Sequence, residues 1–460
     1  MKGFTVSEVI DSFGVNKFTW KIFFLLGLAM VFDGYDYMVV SYTMPQIRET
    51  WALTAVQTGS LSSWSLFGLV IGGMISGILS DKFGRKKVLT YAVALYALLT
   101  LPIYFSTSFG MFATLRVLAG VGLGACIPVV TTVFSETAPT KRRGLFITFG
   151  MAWMIVGWVL AGVISTIIVP LWGWRACYLI GGFPLLYAIW LHFKMPETAH
   201  WFANQGRNAE ALEALARIEL TAQGTRTARD PKLLIVPPRP TVVGPKALFS
   251  KHYISATLGI WITYFCGCFI VYGLNAWIPS MMLEKGYTLA SAYGLGIAQN
   301  GAAIIANVST GFVSEGIGRK RNLLLGFSVS IVAIILAAFV SGSYGVVMIA
   351  MVFLGFSINY SITAIQPLMA ESYPTEFRNT GVSWAQAFGR LGGALSPIVI
   401  GIIMGLGMGY TNSFLFYLIP VGIGILATVF LVKRETKGKS LESLAEVEES
   451  ALTYSPGRVS

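Results

Sequence analysis

Apolar residues in this chain come in unbroken blocks of about twenty, the length of a helix that crosses a hydrocarbon core. They show neither the one-sided stripe of an amphipathic helix nor the alternation of a half-buried strand. Twelve such blocks can be placed: 18–44, 57–79, 88–105, 109–134, 145–170 and 175–193, then 253–282, 290–313, 322–340, 344–370, 381–406 and 411–432. The longest polar interruption separates the first six from the last six. Inside it, "RNAEALEALARIEL" (207–220) carries the period of an amphipathic helix, and "VPPRPTVVGP" (236–245) reads as a stiff Pro-rich linker. The predicted organisation is all-α: a six-helix bundle over 1–193, a cytoplasmic loop over 194–252, a second bundle over 253–435 and a tail over 436–460.

Composition agrees with the pattern. The chain is 55% hydrophobic and 12% charged, against roughly a quarter charged in soluble proteins, so it reads as an integral membrane protein. The net charge of +12 would suggest nucleic acid only if it formed a patch. Instead, all but five of the 33 Lys and Arg fall on the side of the N-terminus once the spans alternate. The other side holds Arg48, Arg175 and Lys285, while Arg116 and Arg390 lie within spans. That asymmetry predicts cytoplasmic termini and no nucleic-acid partner. Cys126, Cys177, Cys266 and Cys268 all fall in or beside apolar blocks, without disulfide or zinc spacing. His192, His200 and His252 lie at or beyond span ends, and no nucleophile–base, phosphate-loop or metal spacing stands out. No enzyme activity, metal or cofactor is expected.

The halves repeat one another. "GILSDKFGRKK" (77–87) aligns with "GFVSEGIGRKR" (311–321) at an offset of 234, and "ETAPTKRRG" (136–144) with "ESYPTEFRN" (371–379) at 235. Parallel six-helix repeats are a transporter architecture. "GILSDKFGRKKVL" resembles the loop signature of the major facilitator superfamily, and "RVLAGVGLG" (116–124) resembles its fourth-helix motif. Within that superfamily, "DGYD" (33–36), "YGLNAWIPSMM" (272–282) and "PTEFRNTGVSWAQAFGRLGGALSP" (374–397) are similar to aromatic acid:proton symporters. The resemblance implies the major facilitator fold, with a gate latch at Gly77, Asp81, Gly84, Arg85 and Lys86. Its second copy has Glu315 and Arg319, and Glu136 and Glu371 stand at equivalent helix ends.

The charged residues inside the spans carry the chemistry. Asp33 and Asp36, three apart, share roughly one helix face. Two carboxylates so close in low dielectric cannot easily both ionise, so one is expected to take a proton. Ionisable groups at this depth commonly mark proton or ion paths. At about 1.5 Å per residue, Asp36 and Arg116 lie some 10–12 Å below the same surface. They are therefore compatible with a salt bridge, either proton-gated or purely structural. Arg390 sits roughly 14 Å inside its span with no carboxylate of the second half at its depth. A substrate anion is the favoured solution, which makes Arg390 the substrate anchor; a bond to backbone carbonyls or across to the Asp pair is the alternative. Tyr35, Tyr272, Tyr360, Trp384 and Phe388 are candidates to stack on a ring, and Asn275, Gln299, Asn300, Asn359, Gln366 and Gln386 to hydrogen-bond its substituents. Helix packing and interhelical glue are the ordinary roles of such residues.

The expected function is proton-coupled uptake of an aromatic or related organic carboxylate by alternating access. Its partners would be protons, a small carboxylate and the bilayer, and the protein would act as a monomer in the bacterial inner membrane. Sugar or polyol transport is the alternative, because "PETAHWFANQGR" (196–207) and "RETKGKSLESL" (434–444) resemble sugar-porter loops. Against it, "YFCGCFIVYGLN" stands where sugar porters carry paired glutamines. A drug exporter is less favoured, since "GMAWMIVGWVLAG" lacks a G-P antiporter motif. A non-transporting sensor is the least favoured.

Overall fold

The computed structural model describes residues 3–236, 248–250, 253–373, 378–432 and 435. The Pro-rich linker from Pro237, the residues Pro374–Phe377, His252 and the tail from 436 lie outside the described residues. Among the described residues, helix accounts for nearly all regular structure, and strand pairing is limited to one isolated parallel bridge between Phe4 and Leu234. The first half holds α1 (Val6–Phe13), α2 (Lys17–Trp51), α3 (Ala55–Phe83), α4 (Arg85–Thr100), α5 (Phe109–Thr137), α6 (Arg143–Ile180) and α7 (Pro184–Lys194). Two short helices follow, α8 (Ala199–Asn204) and α9 (Asn208–Gln223). The second half holds α10 (Ile254–Glu284), α11 (Leu289–Ile317), α12 (Arg319–Phe339), α13 (Tyr344–Glu371), α14 (Arg378–Gly405), α15 (Gly409–Phe416) and α16 (Leu418–Phe430).

Eleven stretches among the described residues are long and apolar enough to cross a membrane, and one of these, Thr140–Lys194, is 55 residues long. At about 1.5 Å per residue it exceeds twice the thickness of a hydrocarbon core, so it contains the fifth and sixth crossings, and its backbone leaves helical geometry at Gly173. The expected break between residues 170 and 175 is present. Gly173, at φ 74° and ψ 172°, separates two helical stretches within α6, and the second runs to Ile180 and on through Gly181–Phe183 to α7. The sequence at 207–220 is helical as expected from Asn208 onward, within α9, with Arg207 as its N-cap. Helix α1 was not anticipated, since its three buried apolar residues, Val6, Val9 and Ile10, are too few to stand out.

Packing gathers Met1–Pro238, Leu274–Gly301 and Pro397–Met408 into one compact unit, and Arg239–Gly273, Ala302–Ser396 and Gly409–Ser460 into another. In the first unit, glycines let helix backbones touch. A Cβ on Gly34 would lie 2.1 Å from the Met154 carbonyl oxygen, and one on Gly157 2.2 Å from that of Val31. The Asp-Gly dipeptide is thus a crossing point of α2 and α6, not a turn. Gly68, Gly72, Gly120 and Gly124 do the same for α3 and α5. At the end of this unit remote from the N-terminus, α10, α11 and α14 join the first-half helices. Arg48 pairs with Glu284 at 2.8 Å, Tyr293 donates to the Tyr42 carbonyl, and Trp277 donates to the Pro397 carbonyl at 2.9 Å.

In the second unit, α14 lies on α10 through Gly389, Gly392 and Gly393, whose missing side chains leave room for Tyr264, Phe265 and Tyr272 respectively. Thr263 and Thr428, 3.2 Å apart, link α10 to α16. All four cysteines are buried and unbridged.

Candidate functional site

In the first unit, four helices meet at Asp36. Arg116, on α5, donates from Nη1 to Asp36 Oδ2 at 2.9 Å, from Nη2 to the Asp36 carbonyl at 2.9 Å and from Nε to Ser65 Oγ, on α3, at 2.8 Å. Thr100, at the last position of α4, donates to Asp36 Oδ1 at 2.7 Å. Asp36, Arg116 and Thr100 have no exposed surface, and Ser65 has 1%. Gly181 completes the enclosure, since a Cβ there would meet Thr100 Cγ2 at 2.7 Å. Buried charge is tolerated only when paired and hydrogen-bonded in this way. Asp33, one turn earlier, is equally buried at 1%. Tyr35 turns elsewhere, donating to the Cys177 carbonyl at 2.9 Å.

In the second unit, Arg390 is half-buried on α14 and has no acidic partner among the described residues. Its neighbours within electrostatic reach are Tyr264 and Cys268 of α10, and Gln366 of α13 donates to Tyr264 Oη at 3.3 Å. Gln386, one turn before Arg390, is half-buried. Trp384 is 43% exposed and lies parallel to Trp261, with ring centroids 6.2 Å apart. Phe388 packs on the same Trp261 at 5.4 Å. Tyr272 lies against Gly393. Other candidates are bound up in packing. Gln299 donates to Asn275 at 2.5 Å, Asn359 donates to the Gly355 carbonyl of its own helix at 2.9 Å, and Tyr360 donates to Asn322.

The repeated loops form matching charge clusters. Helix α3 runs through Gly77 and Asp81, so the turn reduces to Gly84, at φ 100°, and Gly77 is helical with open space around its Cα. Arg85 pairs with Asp81 and with Glu136, each at 2.9 Å. Its backbone N–H and that of Lys86 donate to Glu197, at 2.9 and 3.2 Å. In the second copy, Gly318 also sits at φ 100°. Arg319 pairs with Glu371 at 3.1 Å, and Arg319 and Lys320 donate backbone N–H groups to Glu435. Glu315, the counterpart of Asp81, is exposed and makes no ion pair among the described residues. Burial raises the Glu197 carboxyl above its ordinary value. Burial lowers the ring of His200, which faces Glu136, Arg143 and Arg85.

Comparison with known proteins decides the family. The model of the Major Facilitator Superfamily matches residues 26–310 and 289–455. The chain belongs to that superfamily. This facilitator is 30% identical over 442 residues to the niacin transporter NiaP of Acinetobacter baylyi, covering 95% of this chain and 98% of that one. It is 31% identical over 426 residues to a gallate transporter of Pseudomonas putida, with 92% and 94% covered. Among solved structures it is similar to the inward-open xylose transporter XylE from E. coli, with a TM-score of 0.72, 19% identity and 93% and 99% covered. At that identity the likeness concerns the fold alone. The facilitator is therefore a multi-pass membrane transport protein rather than an enzyme.

Several residues at these sites carry little sequence signal. Thr100 and Ser65 are ordinary residues of membrane helices, and Tyr264 is one aromatic among many. Glu197 and Glu435 were more accessible, because "PET" and "RET" repeat at an offset of 238.

Proposed function

We propose that this facilitator imports an aromatic or related organic monocarboxylate together with a proton by alternating access. The observation that carries the reading is the contrast between the two arginines inside spans. Arg116 is satisfied by Asp36 and Ser65, whereas Arg390 has no carboxylate among the described residues. A planar guanidinium fork binds a carboxylate bidentately, so a substrate anion completes Arg390 and aromatic residues nearby give its ring a surface. Niacin and gallate, carried by the relatives named above, are both six-membered aromatic rings bearing one carboxylate. Asp33 and Asp36, adjacent in one buried turn, supply the proton-binding element. With one of them protonated, the set Asp33, Asp36, Arg116 and Arg390 carries one net positive charge, which one carboxylate neutralises.

On this reading residues 1–193 and 253–435 act as two six-helix bundles, joined by the 194–252 loop. The Gly84–Lys86 and Gly318–Lys320 clusters latch the cytoplasmic side. Both termini are cytoplasmic, the membrane is the bacterial inner membrane, and the monomer is the working unit.

The test is uptake into proteoliposomes under an inward proton gradient, comparing nicotinate, benzoate and its hydroxylated forms, an aliphatic carboxylate and glucose. Aromatic carboxylate uptake that collapses with a protonophore and in Asp33→Asn supports the reading. Uptake of glucose alone, or anion uptake indifferent to the gradient, overturns it.

A further inference from the structure

Beside Arg390 lies a second polar station that the charge argument leaves unused. Tyr264 projects from α10 against α14, where a Cβ on Gly389 would lie 2.3 Å from its Cδ1 and 3.1 Å from Cys268 Sγ. The tyrosine ring therefore rests on the backbone immediately before Arg390, in a space that only a glycine at 389 leaves open. Gln366 reaches it from α13, donating Nε2–H to Tyr264 Oη at 3.3 Å. Tyr264, Gln366 and Arg390 are all half-buried rather than sealed in the core.

The hydrogen-bond capacity of this pair is not used up. A phenol oxygen that accepts from Gln366 still has its own proton to donate, and the adjacent Cys268 sulfur is only a weak acceptor. The Gln366 carbonyl retains its acceptor lone pairs. Together they offer one donor and one acceptor, the complement of a hydroxyl group. A cationic fork next to such a pair matches a molecule with a carboxylate on one carbon of a ring and a hydroxyl on another.

We propose that Tyr264 and Gln366 are specificity-determining residues that read a ring hydroxyl of the substrate whose carboxylate Arg390 holds. The proposal rests on the carboxylate reading above and adds a preference to it. A site built to hydrogen-bond a hydroxyl discriminates against the analogue that lacks it, because its buried polar groups are then left without partners.

The experiment measures KM and maximal uptake in proteoliposomes for benzoate and for each of its monohydroxylated isomers, in wild type, Tyr264→Phe and Gln366→Leu. Wild type should favour at least one hydroxybenzoate over benzoate by about tenfold or more in the ratio of maximal uptake to KM. Tyr264→Phe, which keeps the ring that packs on Gly389, should erase most of that preference by raising KM for the hydroxylated substrate far more than for benzoate. Gln366→Leu should weaken it in the same direction. Equal loss for benzoate and hydroxybenzoate in Tyr264→Phe would make the residue a packing element and overturn the assignment. So would a wild type indifferent to the hydroxyl, with carboxylate uptake intact. Absence of any benzoate-type uptake would instead remove the Arg390 reading, and this proposal with it.

Discussion

Both oxygens of the Asp36 carboxylate are occupied, one by Arg116 and one by Thr100, so removing either partner should cost stability, the charged one more. Arg116→Ala strands a buried carboxylate and should destabilise the protein by about 3–5 kcal/mol. Thr100→Val removes one hydrogen bond to a charged group and should cost about 1.5–3 kcal/mol. Arg390→Ala, at a half-buried residue with no acidic partner among the described residues, should stay within about 0.5 kcal/mol of wild type while abolishing carboxylate uptake. Thermal unfolding of the detergent-solubilised protein, run beside uptake, separates these outcomes. Destabilisation by Arg390→Ala as large as that by Arg116→Ala would make Arg390 a structural residue. The depth of Asp36 and Arg116 was legible because helix rise converts residue count to distance. Thr100 was not, because nothing in a lone threonine says which neighbouring helix it faces.

A helix N-terminus leaves its first N–H groups without partners, and α4 meets that need with a carboxylate from a distant segment. Glu197 accepts from the N–H groups of Arg85 and Lys86. Glu197→Ala should therefore uncap α4 at a cost of about 0.5–2 kcal/mol. Glu197→Gln keeps an accepting oxygen and should behave differently. Burial raises the folded-state carboxyl above its unfolded value, so the ionised form opposes folding. That opposition fades as pH falls through the raised value. Glu197→Gln should be at least as stable as wild type at neutral pH, and its advantage should shrink on acidification. His200 works in the opposite sense. Burial lowers its folded value, so its contribution is complete above the ordinary histidine range and is lost as pH falls below it. His200→Gln should remove that part of the acid sensitivity, which unfolding followed from neutral to mildly acidic pH would reveal. A stability profile unchanged by either substitution would contradict both assignments. The acidic cap in each half was only partly legible. "PET" and "RET" recur at an offset of 238, a repeat that the loop resemblance alone did not use, and a contact between Glu197 and Arg85, separated by 112 residues, needs the fold to bring it about.

For the molecule as a whole, twelve crossings in repeated halves could be read from block length and charge asymmetry, because a bilayer leaves the backbone few alternatives to helix. What that reading does not contain is how closely helices approach, which depends on individual glycines. Gly59 and Gly77, both on α3, show the difference. At Gly59 a Cβ would lie 2.0 Å from the Pro397 carbonyl oxygen and 3.3 Å from Trp277, so backbone meets backbone at the end of the unit where Arg48 pairs with Glu284. A side chain cannot be fitted there unless α3 and α14 separate. Gly77, within the signature motif, has nothing within 4 Å. An alanine there fits this arrangement without strain and should stabilise α3 by up to about 1 kcal/mol. If closing that end is a step of the transport cycle, Gly59→Leu should bind aromatic carboxylate yet fail to carry it across, while Gly77→Ala should be stable and active. Equilibrium binding, uptake and thermal unfolding on the two variants decide the matter. Full uptake by Gly59→Leu would mean that this contact is dispensable to the cycle. Stable but inactive Gly77→Ala would mean that the open space around Gly77 is filled by another part of the chain at a different stage of transport.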